Sequence, residues 1–309
     1  MSDRPGVLAG IGNTPLVRLN RLAGEGAAVW VKLEAANPTG SYKDRMALAM
    51  IEGAERDGRL VAGQTVVEYT GGSTGSSLAL VCSLKGYPLR IVTSDAFAEA
   101  KLQTMQALGA TLDVIPSPAG ITPELIPRMQ ERAREISEEV GGFATDQFHN
   151  RDALDGYRQI GLEVTNQLGG ELSAFCTYIG VGGCFLGTIQ GLQTRWPEVW
   201  KVAVEPKESA VLSGGTPGTH RIEGGGVGFV PPLLQPENPI DEVIAVSTEE
   251  AFATAREAAR VEGVWSGPSG GANINAALQL AKRRGPEQQV VTIQPDSGLK
   301  YLSGDLYRN

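Results

Sequence analysis

The chain is poor in cysteine and histidine, with 3 cysteines and 2 histidines among its 309 residues. So few cysteines, at unrelated spacings, do not form a disulfide framework or a zinc-binding motif. No apolar run approaches the roughly 20 residues that a membrane-spanning helix needs. The first residues also lack the basic-then-apolar layout of a signal peptide. We therefore expect a cytoplasmic protein that binds neither a metal ion nor a membrane.

The chain also lacks an excess of basic residues. It carries 27 Lys and Arg against 35 Asp and Glu, a net charge of −8, which argues against a nucleic-acid partner. With 41% hydrophobic and 20% charged residues, it can bury a sizeable core. Glycine is plentiful, at 40 residues, but without the G-X-Y period of collagen. This surplus indicates tight turns or backbone that lies close to ligands.

Short apolar segments rich in β-branched residues alternate with longer segments of helical period. This alternation predicts βα units and a mostly parallel sheet, with ligands at the carboxyl ends of the strands. The expected strands are 29–33, 65–69, 89–93, 111–115, 174–179, 201–205 and 290–293. The expected helices are 44–56, 76–85, 98–108, 123–140, 153–168, 248–262 and 272–283. Residues 213–232, rich in glycine and proline, are expected to form a long loop.

The segment 37–45, N-P-T-G-S-Y-K-D-R, contains a candidate catalytic amine. Ser41 and Asp44 have the spacing of a capping box, which places Lys43 in the first turn of a helix. The helix dipole disfavours a positive charge there, so the neutral amine becomes more accessible. The structural alternative is an ordinary surface lysine.

Three glycine-rich loops each precede a helix: 70–75 (T-G-G-S-T-G), 180–187 (G-V-G-G-C-F-L-G) and 267–271 (G-P-S-G-G). The first offers hydroxyls and N–H groups to a carboxylate. The second contains no Lys or Arg, so it would hold a phosphate by its N–H groups and the helix dipole. It is not a dinucleotide fingerprint, because Phe185 stands in place of the third glycine, and no P-loop motif occurs. The third places Ser269 at a helix start, where its structural alternative is an N-cap.

Two of these loops also match the G-x-S-x-G pattern of serine hydrolases, around Ser73 and Ser269. A hydrolase needs a histidine base, and the chain has only His149 and His220. Neither histidine follows Ser269, so the hydrolase order of residues fails for that serine. For Ser73 the order can be met, and this alternative stays open.

Together and in order, these segments resemble the cysteine synthase (O-acetylserine sulfhydrylase) family of pyridoxal-phosphate enzymes, which have the tryptophan-synthase-β fold. The resemblance runs almost end to end. It includes the motifs at 11–16 (I-G-N-T-P-L), 147–148 (Q-F), 205–206 (E-P), 220–229, 295–298 (P-D-S-G) and 301–303 (Y-L-S). It implies two three-layer α/β domains with mostly parallel sheets and the cofactor in the cleft between them. The smaller, mobile domain would span 37–146, and the larger, cofactor-phosphate-binding domain 1–36 plus 147–309. A homodimer is also implied.

The resemblance assigns a role to each candidate residue. Lys43 would form the imine with pyridoxal 5'-phosphate and then act as the acid–base group at the substrate α-carbon. Ser269 would meet the pyridine nitrogen, and Ser73 would lie beside both cofactor and substrate. The residues that would cradle the phosphate are Gly180, Val181, Gly182, Gly183 and Cys184. The residues that would receive the substrate carboxylate are Thr70, Gly71, Gly72, Ser73, Thr74 and Gln147.

A neutral serine at the pyridine nitrogen need not protonate the ring, and an unprotonated ring is a weaker electron sink. This favours direct loss of a leaving group from the β-carbon, giving an α-aminoacrylate that a nucleophile attacks. The expected activity is therefore β-replacement on an activated L-serine, such as O-acetylserine, by sulfide or another small nucleophile.

The sequence departs from the family at several positions on the substrate side. Ser73 stands where the family has asparagine, Gly71 where it has serine, and Gly225 where it has isoleucine. On the cofactor side, Cys184 replaces a threonine. These departures leave three alternatives: a specialised relative with a different nucleophile or leaving group, a serine or threonine dehydratase, and a non-catalytic amino-acid binder.

Overall fold

The structure is a computed structural model that describes residues 6–118, 124–234 and 240–308. Its strands are β1 (Leu16–Arg18), β2 (Ala28–Leu33), β3 (Val66–Tyr69), β4 (Leu89–Ser94), β5 (Thr111–Ile115), β6 (Phe143–Ala144), β7 (Ala174–Tyr178), β8 (Trp200–Pro206), β9 (Glu242–Val246) and β10 (Gln289–Gln294). Its α-helices are α1 (Lys43–Asp57), α2 (Ser73–Lys85), α3 (Glu99–Ala107), α4 (Leu125–Val140), α5 (Asp152–Gln167), α6 (Gly183–Leu192), α7 (Thr248–Glu262) and α8 (Pro268–Lys282). None of the helices in these ranges is long and apolar enough to span a membrane.

The chain divides into two compact units. The first comprises the residues up to Ile11 together with Lys43–Gly156, and its sheet is parallel with the order β5-β4-β3-β6. Helix α4 covers the face of this sheet that carries Val67 and Val92, where Leu125 and Met129 are fully buried. The carboxyl end of β3 leads directly into the loop before α2. A substrate loop at this position is what parallel βα topology favours.

The second unit comprises Gly12–Tyr42 and the chain from Tyr157 onward. Its six-stranded sheet has the order β1-β2-β10-β7-β8-β9, with β1 antiparallel to β2 and every other pair parallel. Strand β7 is buried along its length, β8 from its third residue onward and β10 from its second, as in a sheet that helices cover. The predicted α/β class with mostly parallel sheets is confirmed.

Each expected strand and helix is present, with shifts at the ends. Helices α2 and α8 begin earlier than expected, because the glycine loops run straight into them through the N-cap residues Gly72 and Gly267. The predicted start of the fourth helix, Pro123, lies outside the described residues. Strands β1, β6 and β9 were missed; β9 reads E-V-I-A-V, a β-branched pattern that does indicate a strand.

The predicted smaller domain, 37–146, differs from the first unit at both ends. Residues 37–42 belong to the second unit, where the Tyr42 N–H donates to the Pro295 carbonyl at 2.9 Å and Ser41 pairs with Asp296. Residues 147–156 belong to the first unit, where a Cβ atom at Gly156 would lie 2.3 Å from the carbonyl oxygen of Arg45. The mobility of the smaller domain stays a prediction.

Candidate active site

Lys43 is presented by a segment with a fixed backbone. Gly40 adopts a left-handed φ of +71°, and its carbonyl accepts a hydrogen bond from the Ser297 N–H at 3.0 Å. Lys43 follows as the first residue of α1, and its side chain is only 8% exposed. Its Nζ lies 3.7 Å from the Sδ of Met46. The surface-lysine alternative is therefore wrong: the amine is withdrawn from water.

The start of α1 is tied to the start of α2. The hydroxyl of Ser77 donates to Oδ1 of Asp44 at 2.6 Å, and both residues are fully buried. Asp44 is the neighbour of Lys43, and Ser77 lies one helical turn beyond Ser73. This bond therefore holds Lys43 and the loop 70–75 in one part of the first unit.

The structure brings several of the predicted carboxylate-binding residues together in the first unit. The hydroxyl of Thr74 donates to Oε1 of Gln147 at 2.9 Å, and both side chains are buried. The Gly72 N–H points to the hydroxyl oxygen of Thr70 at 3.3 Å. Ser73 is the first residue of α2 and is half-buried. Because the first N–H groups of a helix have no acceptor within it, this loop can receive a carboxylate.

Glu68, which the sequence analysis missed, supports Gln147 from β3. It is 2% exposed, and its Oε2 accepts hydrogen bonds from the Thr145 hydroxyl at 2.7 Å and the Gln147 N–H at 3.2 Å. Its Oε1 accepts from the Tyr69 N–H at 2.9 Å. Burial raises the pKa of Glu68 to about 7 although these three donors lower it. A single carboxylate in the strand V-V-E-Y was the signal that could have revealed it.

In the second unit, the predicted phosphate loop joins the end of β7 to α6. Gly182 is the N-cap of α6 and has a φ of +87°, which favours glycine. A Cβ atom at Gly180 would lie 2.7 Å from the carbonyl oxygen of Gly224, so that position has no room for a side chain. Val181, Gly183 and Cys184 are buried. The Sγ of Cys184 is 4.0 Å from the hydroxyl oxygen of Thr188, one turn further along α6.

Ser269 lies close to this loop. It is the second residue of α8 and is 5% exposed. The N-cap of α8 is Gly267, so the N-cap alternative for Ser269 is wrong. A Cβ atom at Gly224 would lie 3.8 Å from the Ser269 hydroxyl oxygen. Gly224 thus lies beside both Gly180 and Ser269, so the Ser269 hydroxyl and the loop before α6 share a neighbour in the second unit.

The remaining reactive side chains serve local structure. Nδ1 of His220 accepts from the Ile222 N–H at 3.2 Å, which leaves the proton on Nε2 to donate to the Gly226 carbonyl at 2.9 Å. His149 contacts the carboxylate of Asp146 at 2.9 Å and is more than half exposed. Burial raises the pKa of Cys82 and of Cys176 to about 12, so both thiols are protonated at neutral pH.

Comparison with known proteins identifies the family. The family described as "Pyridoxal-phosphate dependent enzyme" matches residues 7–296 of the chain. The chain belongs to this family. The pyridoxal-phosphate cofactor and the enzyme class expected from the sequence are thereby confirmed, and the serine-hydrolase alternative is wrong.

Relatives within the family are similar in sequence to this protein over nearly its whole length. A cysteine synthase of Staphylococcus aureus is 40% identical over 300 residues, which cover 96% of this chain and 95% of that protein. The crystal structure of O-acetyl serine sulfhydrylase isoform 3 from Entamoeba histolytica superposes with a TM-score of 0.92 and is 33% identical, covering 99% of this chain and 93% of the other. The structure of an O-ureido-L-serine synthase has a TM-score of 0.90 and 35% identity, covering 97% and 94%. The resemblance to the cysteine synthase family is confirmed.

The residues of the second unit fit the family cofactor. The segment 180–187 contains no Lys or Arg, but the N–H groups at the N-terminus of α6 carry the positive end of its dipole. Gly180 and Gly182 leave no room for side chains of their own, because an added Cβ would lie 2.7 Å from the Gly224 carbonyl oxygen and 2.9 Å from Cγ of Leu234, respectively. A phosphate dianion and a pyridine nitrogen are therefore suited to the α6 N-terminus and to the Ser269 hydroxyl, respectively.

Proposed function

We propose that this protein is a pyridoxal-phosphate-dependent enzyme of cysteine-synthase type. It would catalyse β-replacement on an activated L-serine such as O-acetylserine, with sulfide or another small nucleophile. The observation that carries the proposal is the Asp44–Ser77 hydrogen bond, which holds a buried lysine beside a loop suited to a carboxylate. Removing a proton from an amino acid requires a base and, near it, a group that binds the substrate carboxylate. Lys43 and the loop 70–75 would supply them.

Each side chain has a defined task in this proposal. When bound, pyridoxal phosphate supplies an aldehyde that condenses with amines and a ring that withdraws electrons from the substrate α-carbon. Lys43, which is only 8% exposed, would accept the proton from that α-carbon. The loop from Thr70 to Thr74, with Gln147, would hold the carboxylate and so fix which bond faces the amine.

The second unit would hold the cofactor. Gly180, Val181, Gly182, Gly183 and Cys184 would surround the phosphate with N–H groups. The Ser269 hydroxyl would meet the pyridine nitrogen without transferring a proton to it, because an alcohol is a far weaker acid than an aspartic acid. This choice favours loss of the β-substituent over transamination.

The first test is the variant Lys43→Ala. We expect it to lower turnover by at least about 1,000-fold, because both the covalent anchor and the acid–base group are lost. Lys85→Ala is the matched control: Lys85 lies in the last turn of α2, where it pairs with Glu55 at 2.7 Å. Turnover retained in Lys43→Ala, or a purified protein that stays colourless in pyridoxal phosphate, would contradict the proposal.

A substrate panel tests the reaction itself. O-acetylserine, O-phosphoserine, serine and threonine are each supplied with sulfide or without a nucleophile. Cysteine formed from O-acetylserine and sulfide supports the proposal. Pyruvate or 2-oxobutanoate alone would identify a dehydratase instead.

A second candidate is a specialised β-replacement enzyme with a different nucleophile or leaving group. It is favoured by the altered residues Gly71 and Ser73 in the carboxylate loop, and an O-ureido-L-serine synthase is among the similar structures. Absence of product across the whole panel, in a protein that does take up the cofactor, would point to this candidate. The homodimer and the cytoplasmic location stay predictions.

A further inference from the structure

The side chain of Phe97 lies directly on Gly71. Phe97 follows β4, in the turn that leads into α3. A Cβ atom at position 71 would lie only 2.3 Å from the Cγ and Cδ1 atoms of the Phe97 ring. Real Cβ atoms do not approach other carbons so closely, so a side chain at 71 and the ring at 97 exclude each other. The serine that the family carries at position 71 therefore does not fit in this chain while Phe97 keeps its place.

The backbone that carries the ring is fixed by its own turn. The Phe97 N–H donates to the Ser94 carbonyl at 3.2 Å, and the Ala96 N–H donates to the Ser94 hydroxyl at 3.2 Å. Asp95 accepts a hydrogen bond from the Ser117 N–H at 2.7 Å, which fixes the turn to the chain after β5. The ring also packs against the buried cluster of the first unit, which includes Val67. Moving the ring away would remove its packing against that cluster.

We propose that Phe97 is a specificity-determining residue. Its ring occupies the space that a side chain at position 71 would take and lines the substrate loop 70–75 there. This proposal rests on the proposed function, since it takes the loop 70–75 as the receptor of the substrate carboxylate. The ring removes a hydroxyl donor, but it also excludes water from the N–H groups and hydroxyls that remain. Hydrogen bonds to a carboxylate are stronger where water is excluded.

The test compares Phe97→Ala and Phe97→Leu with Ile115→Ala. Ile115 is the control because it packs against the same buried cluster from β5. The measurements are KM and kcat for O-acetylserine, the absorbance of the bound cofactor as L-serine is added, and the unfolding temperature. All three variants should unfold at lower temperature. Only the Phe97 variants should raise the KM for O-acetylserine and the half-saturating L-serine concentration. We expect a rise of about tenfold for Phe97→Ala and a smaller one for Phe97→Leu, with kcat little changed.

A double-mutant cycle tests whether a side chain at position 71 and the ring of Phe97 exclude each other. Gly71→Ser alone should weaken L-serine binding at least tenfold, because it displaces the ring or the loop. In the Phe97→Ala background, Gly71→Ser should instead strengthen binding, since the hydroxyl then has room and adds a donor. Equal effects of Gly71→Ser in both backgrounds would overturn the proposal. So would Phe97 variants that behave like Ile115→Ala.

These measurements also separate this proposal from the proposed function. The L-serine titration needs bound cofactor but no turnover. If the effects of Gly71→Ser and Phe97→Ala depend on each other but the protein does not convert O-acetylserine, the role of Phe97 is supported and the proposed reaction is wrong. If the protein converts O-acetylserine but the two effects are independent, the reaction is supported and the role of Phe97 is wrong. If Phe97→Ala does not fold, Phe97→Leu, which keeps an apolar side chain, takes its place in the cycle.

Discussion

The phosphate loop of the second unit and the carboxylate loop of the first are both rich in glycine, but their glycines are there for different reasons. At Gly180 the limiting neighbour is the backbone, the carbonyl oxygen of Gly224. At Gly71 it is a side chain, the ring of Phe97, and at Gly72 no atom lies within 4 Å of an added Cβ. A backbone neighbour cannot be changed by substitution, whereas a side chain can. Position 180 is therefore fixed by the fold, whereas position 71 is open to change together with position 97.

The departures from the family follow this division only in part. Gly71 and Ser73 lie in the substrate loop, and the limiting neighbour of Gly71 is a side chain that can change together with it. Gly225, which stands where the family has isoleucine, is instead limited by a backbone neighbour. A Cβ atom there would lie 2.3 Å from the Ile179 carbonyl oxygen, so this backbone admits only glycine. The following predictions test the division, in order of decreasing expected effect.

The sharpest test pairs Gly180→Ala with Gly72→Ala. The first variant forces a methyl group against a backbone oxygen, and we expect at least 100-fold weaker cofactor binding, roughly 3 kcal/mol. The second adds a methyl group where no protein atom lies within 4 Å, at a negative φ of −149°, so its cofactor affinity should change less than about threefold. Cofactor affinity is measured by titrating the apoprotein with pyridoxal phosphate. Similar losses in both variants would break the comparison.

Glu68→Gln tests the support beneath the carboxylate loop through its pH dependence. The folded pKa of about 7 exceeds the ordinary value of 4.5, so the folded protein binds the extra proton. The stability that this proton provides is complete below about pH 4.5 and is lost as the pH rises through 7. Between pH 5 and pH 8 the wild type should lose roughly 2–3 kcal/mol relative to Glu68→Gln. The measurement is urea unfolding of both proteins at the two pH values.

Parallel pH profiles of the two proteins would contradict the raised pKa of Glu68. Besides burial, four neighbours act on the pKa of Glu68: Asp146 raises it, and the Thr145 hydroxyl and the N–H groups of Tyr69 and Gln147 lower it. Other titrating groups are common to both proteins, so they cancel in the difference.

Ser77→Ala tests the bond that places Lys43 beside the substrate loop. It removes a donor to the fully buried Asp44 carboxylate, which should lower the free energy of unfolding by about 1–2 kcal/mol and lower kcat. Ser83→Ala, on the exposed side of the same helix, is the control and should change stability by less than about 0.5 kcal/mol. A loss of stability without any change in kcat would show that this bond does not position the amine.

The smallest expected effect comes from Ser73→Asn, which restores the amide that the family carries. We expect kcat/KM for O-acetylserine to rise about threefold to fivefold, since an amide at the first turn of α2 adds a donor for the substrate. Ser73→Ala, which adds no donor, should not produce this gain. An unchanged or lower kcat/KM in Ser73→Asn would mean that this loop is adapted to another substrate.

Local sequence was sufficient for much of the fold and for part of the candidate site. Runs such as Val-Val-Glu-Tyr and Gln-Val-Val-Thr-Ile-Gln indicate buried strands without any knowledge of their neighbours. The roles of Glu68 and Phe97 could not be found in this way. Glu68 reaches Gln147 across 79 residues of chain, and no periodicity connects such positions.

By itself, the sequence determined the α/β architecture, the cofactor family and the lysine that is its candidate anchor. It did so because strand and helix periods are local and because the motifs occur in one order along the chain. The tertiary structure alone decided that Lys43 is buried, that Ser269 is not an N-cap and that Phe97 takes the space of a side chain at position 71. Those facts depend on which atoms from distant segments occupy the same volume, and packing of that kind is fixed only when the chain has folded.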